Sequence, residues 1–207
     1  MTFTKFKLAT LVVAGSFFAT ASMVQSDGHS DLQPVSAFDS YAEGDERAAA
    51  IFEEMTKVFV HPRCLNCHPV DNSPRQGEQL AMHQPPVVRG EDDFGAVGMR
   101  CSTCHGAENV SYSGEAGSVP GHEPWHLAPV SMGWIGKTSG EICEQVKDPD
   151  RNGNRTLAEL HEHNAEDGLV GWAWEPGEGR EPAPGSQALF GELTQAWIDN
   201  GAACPTS

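Results

Sequence analysis

Two short stretches decide the fold of this chain: Cys64-Leu65-Asn66-Cys67-His68 and Cys101-Ser102-Thr103-Cys104-His105. In each, two cysteines separated by two residues are followed directly by a histidine, which is the pattern at which haem is attached covalently to protein. Two thiols at this spacing can form thioethers to the two vinyl groups of one porphyrin. The histidine is then held beside the iron as its proximal ligand. The pattern predicts two covalent c-type haems, with His68 and His105 as iron ligands.

Paired cysteines also occur in zinc sites and in redox-active disulfides. Two pairs can provide a four-thiolate zinc site, and one pair can form a redox-active disulfide. Zinc would leave the histidine after each pair unexplained, and thioredoxin-like disulfide proteins need a βαβ pattern that this sequence lacks. Covalent haem accounts for all six motif residues: Cys64, Cys67, His68, Cys101, Cys104 and His105.

The short separation of the motifs predicts that both haems share one folded unit. A domain around a single haem takes about 80 to 100 residues, and residues 69–100 cannot enclose a complete one. The chain has 22 Gly and 14 Pro, and only 39% of its residues are hydrophobic. This composition predicts a thin core that apolar haem groups would fill. We expect a cytochrome c-like domain over residues 45–207, mainly α with extensive irregular loops.

The N-terminus has the composition of a secretion signal. Two lysines precede an apolar run over residues 8–18, which is too short to span a bilayer as a helix. Small residues then predict cleavage after Ala21, which makes 1–21 a signal peptide and 22–44 a polar, flexible leading segment. An uncleaved membrane anchor is the alternative. The leader predicts a periplasmic protein without stable membrane insertion after cleavage.

Helical spacing of apolar residues predicts four helices around the motifs. They are Asp45 to about Phe59, Ser139 to Lys147 with Ser139 as the N-cap, a short helix after Thr156, and about Ser186 to Asn200 with Gly201 at its stop. Thr156 and Glu159 have capping-box spacing. The Gly- and Pro-rich stretches between the helices predict irregular structure, and no strand pattern is evident.

Cys143 and Cys204 lie outside the motifs. Two remaining cysteines usually pair in an oxidising compartment, so we predict a structural disulfide between the Ser139 helix and the C-terminus. Two buried free thiols are the alternative.

Residues 148–159 fit the spacing of an EF-hand calcium loop. However, Arg155 stands where such loops usually carry an aliphatic residue, and no second loop is present to pair with. We prefer the alternative of an Asn-Gly turn followed by a capped helix.

The sixth ligand of each iron decides what a haem can do. His83, followed by two stiffening prolines, is our candidate for one haem, and His126 or Met132 for the other. His161 and His163 flank the helix face marked by Leu157 and Leu160 on opposite sides. Periodicity cannot choose between these two histidines, and either could replace the favoured candidates.

The formal charge of −16 excludes a nucleic-acid partner, because such binding needs a basic face. The acidity instead favours steering toward a redox partner protein with a basic docking surface.

The chain resembles a group of proteobacterial dihaem cytochromes labelled isoquinoline 1-oxidoreductase subunits. The resemblance extends from about residue 46 onward. It rests on both motifs with their flanks and on residues 125–129, 169–174 and 201–205. It implies a periplasmic electron acceptor that works beside a larger oxidoreductase. The substrate label does not carry over, because the chain has no molybdopterin-binding feature.

We therefore expect an electron-transfer cytochrome rather than an enzyme, as redox partner or subunit of a larger oxidoreductase. If one iron lacks a side-chain ligand on its distal face, the alternative is a small dihaem enzyme that reduces peroxide or another small oxidant. A haem-based gas sensor would also need an open iron but would show no turnover.

Overall fold

The computed structural model describes Met1, residues 32–112 and residues 118–206. The predicted signal peptide, its cleavage at Ala21 and residues 22–31 of the leading segment lie outside these ranges. Helices make up most of the regular structure in the described ranges. They are α1 (Asp45–Phe59), α2 (Pro62–Leu65), α3 (Ser139–Lys147), α4 (Leu157–Glu166), α5 (Gly168–Gly171) and α6 (Gln187–Asp199).

Three short antiparallel hairpins accompany the helices. They pair β1 (Arg75–Gln76) with β2 (Ala81–Met82), β3 (Gly95–Ala96) with β4 (Met99–Arg100), and β5 (Val110–Ser111) with β6 (Ser118–Val119). Each strand has only two residues, which is too short to leave an alternating pattern in the sequence. The sequence therefore marked these regions only as irregular.

The core lies where α1 crosses α6 and α3. One face of α1 buries Ile51, Phe52, Met55, Val58 and Phe59, as its helical spacing predicted. Aromatic rings join this face to α6: the ring centroids of Phe52 and Trp197 are 5.2 Å apart, and those of Phe59 and Phe190 are 5.3 Å apart. Such pairs add stability beyond the area that they bury.

The predicted helix bounds agree with the structure to within a residue or two. α3 has its predicted range, but its N-cap is Thr138 rather than Ser139, because Thr138 and Glu141 form a reciprocal capping box. The predicted box of Thr156 and Glu159 is confirmed at the start of α4. Ser186 caps α6 instead of belonging to it.

Helix α5 was not predicted. The Asp167 carboxylate accepts hydrogen bonds from the backbone N–H groups of Leu169 and Val170 and so caps this single turn. Its two terminal glycines hide it from a propensity argument.

Part of the predicted leading segment packs against the helices. Leu32 and Phe38 are buried, and residues Val35–Phe38 form a turn of 3₁₀ helix. The backbone N–H of Gln33 donates to Glu54 Oε1 of α1 over 2.9 Å. The folded unit therefore includes at least the part of this segment from residue 32 onward.

The predicted disulfide is confirmed. Cys143 of α3 and Cys204 are joined, with their Cα atoms 5.5 Å apart. Cys143 is fully buried in the helical core, so the bridge attaches the C-terminal segment directly to it.

The 148–159 loop is organised by its own side chains. The Asp148 carboxylate accepts from Arg151 Nε over 2.7 Å and from the backbone N–H of Asp150 over 3.0 Å. The buried Asn152 amide donates to the carbonyls of Val146 and Arg155. Over the ranges that the structure describes, no group of three or more His, Cys, Asp or Glu side chains is arranged to hold a metal ion.

None of the helices in the described ranges has the length and apolar character needed to traverse a bilayer.

Removing the disulfide should weaken the fold without changing its shape. In the double variant Cys143→Ala/Cys204→Ala we expect the free energy of unfolding to fall by about 2 to 4 kcal/mol, because the unfolded chain loses a long-range crosslink. Urea unfolding followed by circular dichroism measures this loss. The single variant Cys204→Ala should lose a similar amount, and unchanged unfolding of both variants would contradict a structural role.

Candidate functional site

The first motif lies on a tight turn directly after α1. Helix α2 begins with Pro62 and carries Cys64, and the Cys64 carbonyl then accepts from the backbone N–H groups of Cys67 and His68 over 3.0 and 3.1 Å. This turn brings the two thiols and the imidazole to one cavity. None of the four motif cysteines is in a disulfide.

That first cavity has an empty volume of about 1000 Å³, part of it open to solvent. Its walls are mainly apolar and come from the core helices and the loops before α3 and after α5. Besides the motif residues, they include Phe59, Met132, Trp134, Leu160, Trp172 and Phe190. A space of this size and character suits a large apolar cofactor.

The His68 ring is held firmly. Its Nδ1 lies 2.7 Å from the backbone carbonyl oxygen of Met132, and its plane stacks on the Trp134 indole with centroids 3.4 Å apart. Because a carbonyl can only accept, Nδ1 carries the proton and Nε2 keeps its lone pair. Burial lowers the pKa of His68 to about 3, although the Met132 hydrogen bond opposes this shift. The imidazole is therefore neutral and able to bind a metal.

The second motif has a similar backbone geometry. A 3₁₀ turn over Cys101–Thr103 follows β4, and the Cys101 carbonyl accepts from the backbone N–H groups of Cys104 and His105 over 3.2 and 3.0 Å. His105 Nδ1 lies 2.7 Å from the Pro120 carbonyl oxygen, and its ring stacks on Trp125 at 4.7 Å. Burial lowers the pKa of His105 as well.

A second cavity of about 530 Å³ faces this motif. It is lined by Cys101, Cys104, His105 and Trp125, together with residues of the loop between the motifs. It lies nearer the surface than the first cavity, since Cys104, Val88 and Met99 are exposed.

The two cavities are neighbours. His126 lines both of them. The pKa of Cys67 is raised to about 11, chiefly by burial; the charge of Arg63 opposes this shift, and Cys101 of the other motif is close enough to add to it. Groups bound at the two motifs would therefore lie side by side.

Buried hydrogen-bond donors without a partner show whether the cavity walls are chemically suited to haem. Arg63 Nε and Trp134 Nε1 at the first cavity and Arg89 Nε at the second are buried without a hydrogen-bond partner. A buried donor without a partner costs free energy. Haem carries two propionate carboxylates on an apolar ring, so it supplies acceptors for such donors and apolar surface for the walls. Paired thiols, a neutral imidazole, apolar walls and cationic donors together fit this group.

The structure places the predicted distal candidates differently. His83 lines the second cavity, with its ring centroid 6.0 Å from that of His105. His126 lies between the cavities, with its Nδ1 2.9 Å from the Leu127 carbonyl oxygen. Met132 lines the first cavity and is the residue whose carbonyl holds His68.

Some residues of the site were not singled out from the sequence. Trp134, which stacks on His68, and Arg89, which bridges loops beside the second cavity, carry no local signal. Of the two histidines that periodicity left open, His163 lines the first cavity, as do Leu160 and Asn164 of the same helix. The spacing of these three residues places them on one face of α4.

No family model matches the chain, and neither a curated protein nor a solved structure matches it.

Arg89 connects the loops between the cavities. Its guanidinium donates to Asp93 Oδ1 over 2.6 Å, to the Asp71 carbonyl over 3.2 Å and to the Ala128 carbonyl. In Arg89→Met we expect the free energy of unfolding to fall by about 2 to 4 kcal/mol, because these partly buried acceptors lose the charged donor that the buried guanidinium supplies. Urea unfolding of the full chain measures this loss.

Arg75 is the matched control. It also pairs with an aspartate four positions away, Asp71, but that carboxylate is half exposed. Arg75→Met should therefore cost about 1 kcal/mol or less. Equal losses in the two variants would contradict the bridging role of Arg89.

Proposed function

We propose that this chain is a cytochrome c-like electron carrier with two covalent haems, one attached at Cys64 and Cys67 and the other at Cys101 and Cys104. One observation carries the proposal. In both motifs the histidine Nδ1 is fixed by a backbone carbonyl at 2.7 Å, and the imidazole faces a cavity lined by its own two cysteines. A metal-binding histidine is usually oriented by a hydrogen bond of this kind.

The haem iron would supply the reversible one-electron chemistry, and the chain's own residues would orient and enclose it. His68 and His105 bind as neutral imidazoles through Nε2. Trp134 and Trp125 restrict the rotation of these rings by stacking on them. Arg63 and Arg89, whose Nε atoms are buried without a partner, would donate hydrogen bonds to the propionates.

His83 is well placed to be the sixth ligand at the second motif. A metal–imidazole bond of about 2 Å, with roughly 1.1 Å more to each ring centre, puts two rings about 6 Å apart across one metal. The centroids of His83 and His105 are 6.0 Å apart. The angle of 61° between the rings is compatible with this, since each plane need only contain its own metal bond. The Pro85 carbonyl, 2.9 Å from His83 Nδ1, leaves Nε2 for the iron.

A haem iron with a side-chain ligand on both faces favours transfer of electrons over chemistry on a small molecule. Electrons would pass between the haems near His126, which borders both cavities. The second haem, next to the exposed side chains of Val88 and Met99, would exchange electrons with other proteins.

The compartment and the partner follow from the sequence. A leader with covalent haem motifs and a disulfide fits the periplasm, where oxidising conditions allow such bridges to persist. The strong negative charge would guide docking on a redox partner with a basic surface, such as a larger oxidoreductase that supplies electrons or a cytochrome that receives them.

Each of the two motifs should attach one haem, independently of the other. The full chain, made with its leader in a host that matures c-type cytochromes, should carry two haems by mass spectrometry. Cys64→Ala/Cys67→Ala and Cys101→Ala/Cys104→Ala should each lose covalent attachment at one motif. Cys143→Ala/Cys204→Ala is the control and should keep both haems. Two covalent haems in either motif variant would contradict the assignment.

The rate of electron transfer to a basic protein should fall as salt is added, because salt screens the negative charge of this chain. Stopped-flow transfer from the reduced protein to a basic redox protein should slow as salt shortens the screening length from about 30 Å to about 8 Å. An acidic redox protein is the control, and transfer to it should speed up or stay constant. The same salt response for both acceptors would count against electrostatic docking.

A further inference from the structure

A histidine–aspartate pair near the end of α4 lies at the wall of the first cavity. His163 Nδ1 of α4 lies 3.1 Å from Asp167 Oδ2, and Asp167 Oδ1 accepts from the backbone N–H groups of Leu169 and Val170. The carboxylate is therefore locked by the helix that it caps, and it fixes the imidazole in turn. Such a carboxylate–imidazole pair is typical of metal-binding histidines.

The tautomer of His163 follows from its partner. An ionised carboxylate only accepts hydrogen bonds, so His163 Nδ1 donates to it, and in the neutral imidazole Nε2 carries the lone pair that can bind a metal. His163 lines the first cavity, into which His68 also faces. Two imidazoles with fixed Nδ1 protons and free Nε2 atoms thus border one space large enough for a porphyrin.

The helix behind His163 keeps it at this wall. Asn164 Nδ2 donates to Thr194 Oγ1 of α6 over 3.1 Å, and the Thr194 hydroxyl donates to the Phe190 carbonyl. Leu160 of the same face is buried in the core. This packing determines which histidine of α4 meets the cavity, and His161 is not among the residues that line it.

We propose that His163 Nε2 is the sixth ligand of the haem iron at the first motif, opposite His68, with Asp167 as its positioning residue. This inference rests on the proposed attachment of haem at Cys64 and Cys67. Met132 is less suited to this place because its carbonyl lies behind the His68 ring, on the proximal side. His126 borders both cavities and so lies between the haems.

The proposal makes the two haems unequal. At the second motif both imidazoles donate to neutral carbonyls, those of Pro120 and Pro85. At the first motif one of them donates to a carboxylate, which makes His163 a stronger electron donor and stabilises oxidised iron. Asp167 would therefore lower the reduction potential of the first haem.

Replacing His163 should open one iron. In the dihaem protein with His163→Ala, we expect one of the two haems to become high-spin by electron paramagnetic resonance and to bind carbon monoxide when reduced. Added imidazole should restore the low-spin signal. His161→Ala is the matched control from the same helix and should behave like the unaltered protein, in which neither haem binds the gas.

The rival ligand is tested in the same way. If both haems of His163→Ala remain low-spin and do not bind carbon monoxide, the proposal is wrong. It is equally wrong if His126→Ala, rather than His163→Ala, opens an iron.

Two milder variants keep the proposal testable if the alanine variant does not fold. His163→Met should show, at one haem, the near-infrared charge-transfer band of methionine bound to ferric iron, and its absence from a folded dihaem protein would overturn the proposal. In Asp167→Asn the amide oxygen can retain the cap of α5, while the amide NH2 replaces Oδ2 opposite His163 Nδ1, so the charge and the hydrogen bond to His163 are both removed. This variant should raise the potential of one haem and leave the other unchanged, and a titration without such a shift would remove Asp167 from this role.

The haem count separates this inference from the proposed function. An unaltered protein that carries no haem at Cys64 and Cys67 overturns the proposed function. If two haems are attached and the spectrum does not change when residue 163 is replaced, only the ligand assignment is overturned.

Discussion

The hydrogen bonds from His68 Nδ1 to the Met132 carbonyl and from His105 Nδ1 to the Pro120 carbonyl connect each motif to a later loop, 64 residues along the chain in the first case and 15 in the second. They orient both imidazoles and set their tautomers. They also bring the tryptophans next to these loops, Trp134 and Trp125, onto the imidazole rings. Met132 and Trp134 are themselves buried in the core, so the loop that orients His68 also forms part of the wall of the first cavity.

The helices around this arrangement form a small conventional core. Aromatic side chains of α1 and α6 pack on each other, and the disulfide joins α3 to the C-terminus. Phe59 and Phe190 belong to this core and also line the first cavity. A cofactor bound there would extend the core and not merely occupy a surface groove, which fits the low hydrophobic content of the chain.

The helical part of the fold could be predicted from the sequence because its signals are local. Periodicity located α1, spacing located the Thr156 capping box, and counting leftover cysteines located the bridge. The loops could not be predicted, because contacts between distant residues, such as those of Arg89 with the Ala128 and Asp71 carbonyls, determine their course. The choice between His161 and His163 failed for a related reason: helical phase alone does not say which side of α4 faces a cavity made by other elements.

The shared wall formed by His126 also has a consequence for how the protein would store charge. Two redox centres separated by little more than one side chain repel each other's added electrons in a medium of low dielectric constant. Reduction of one centre would therefore make reduction of its neighbour harder. Such a chain would fill in two separate steps, and at intermediate potentials it would hold a single electron.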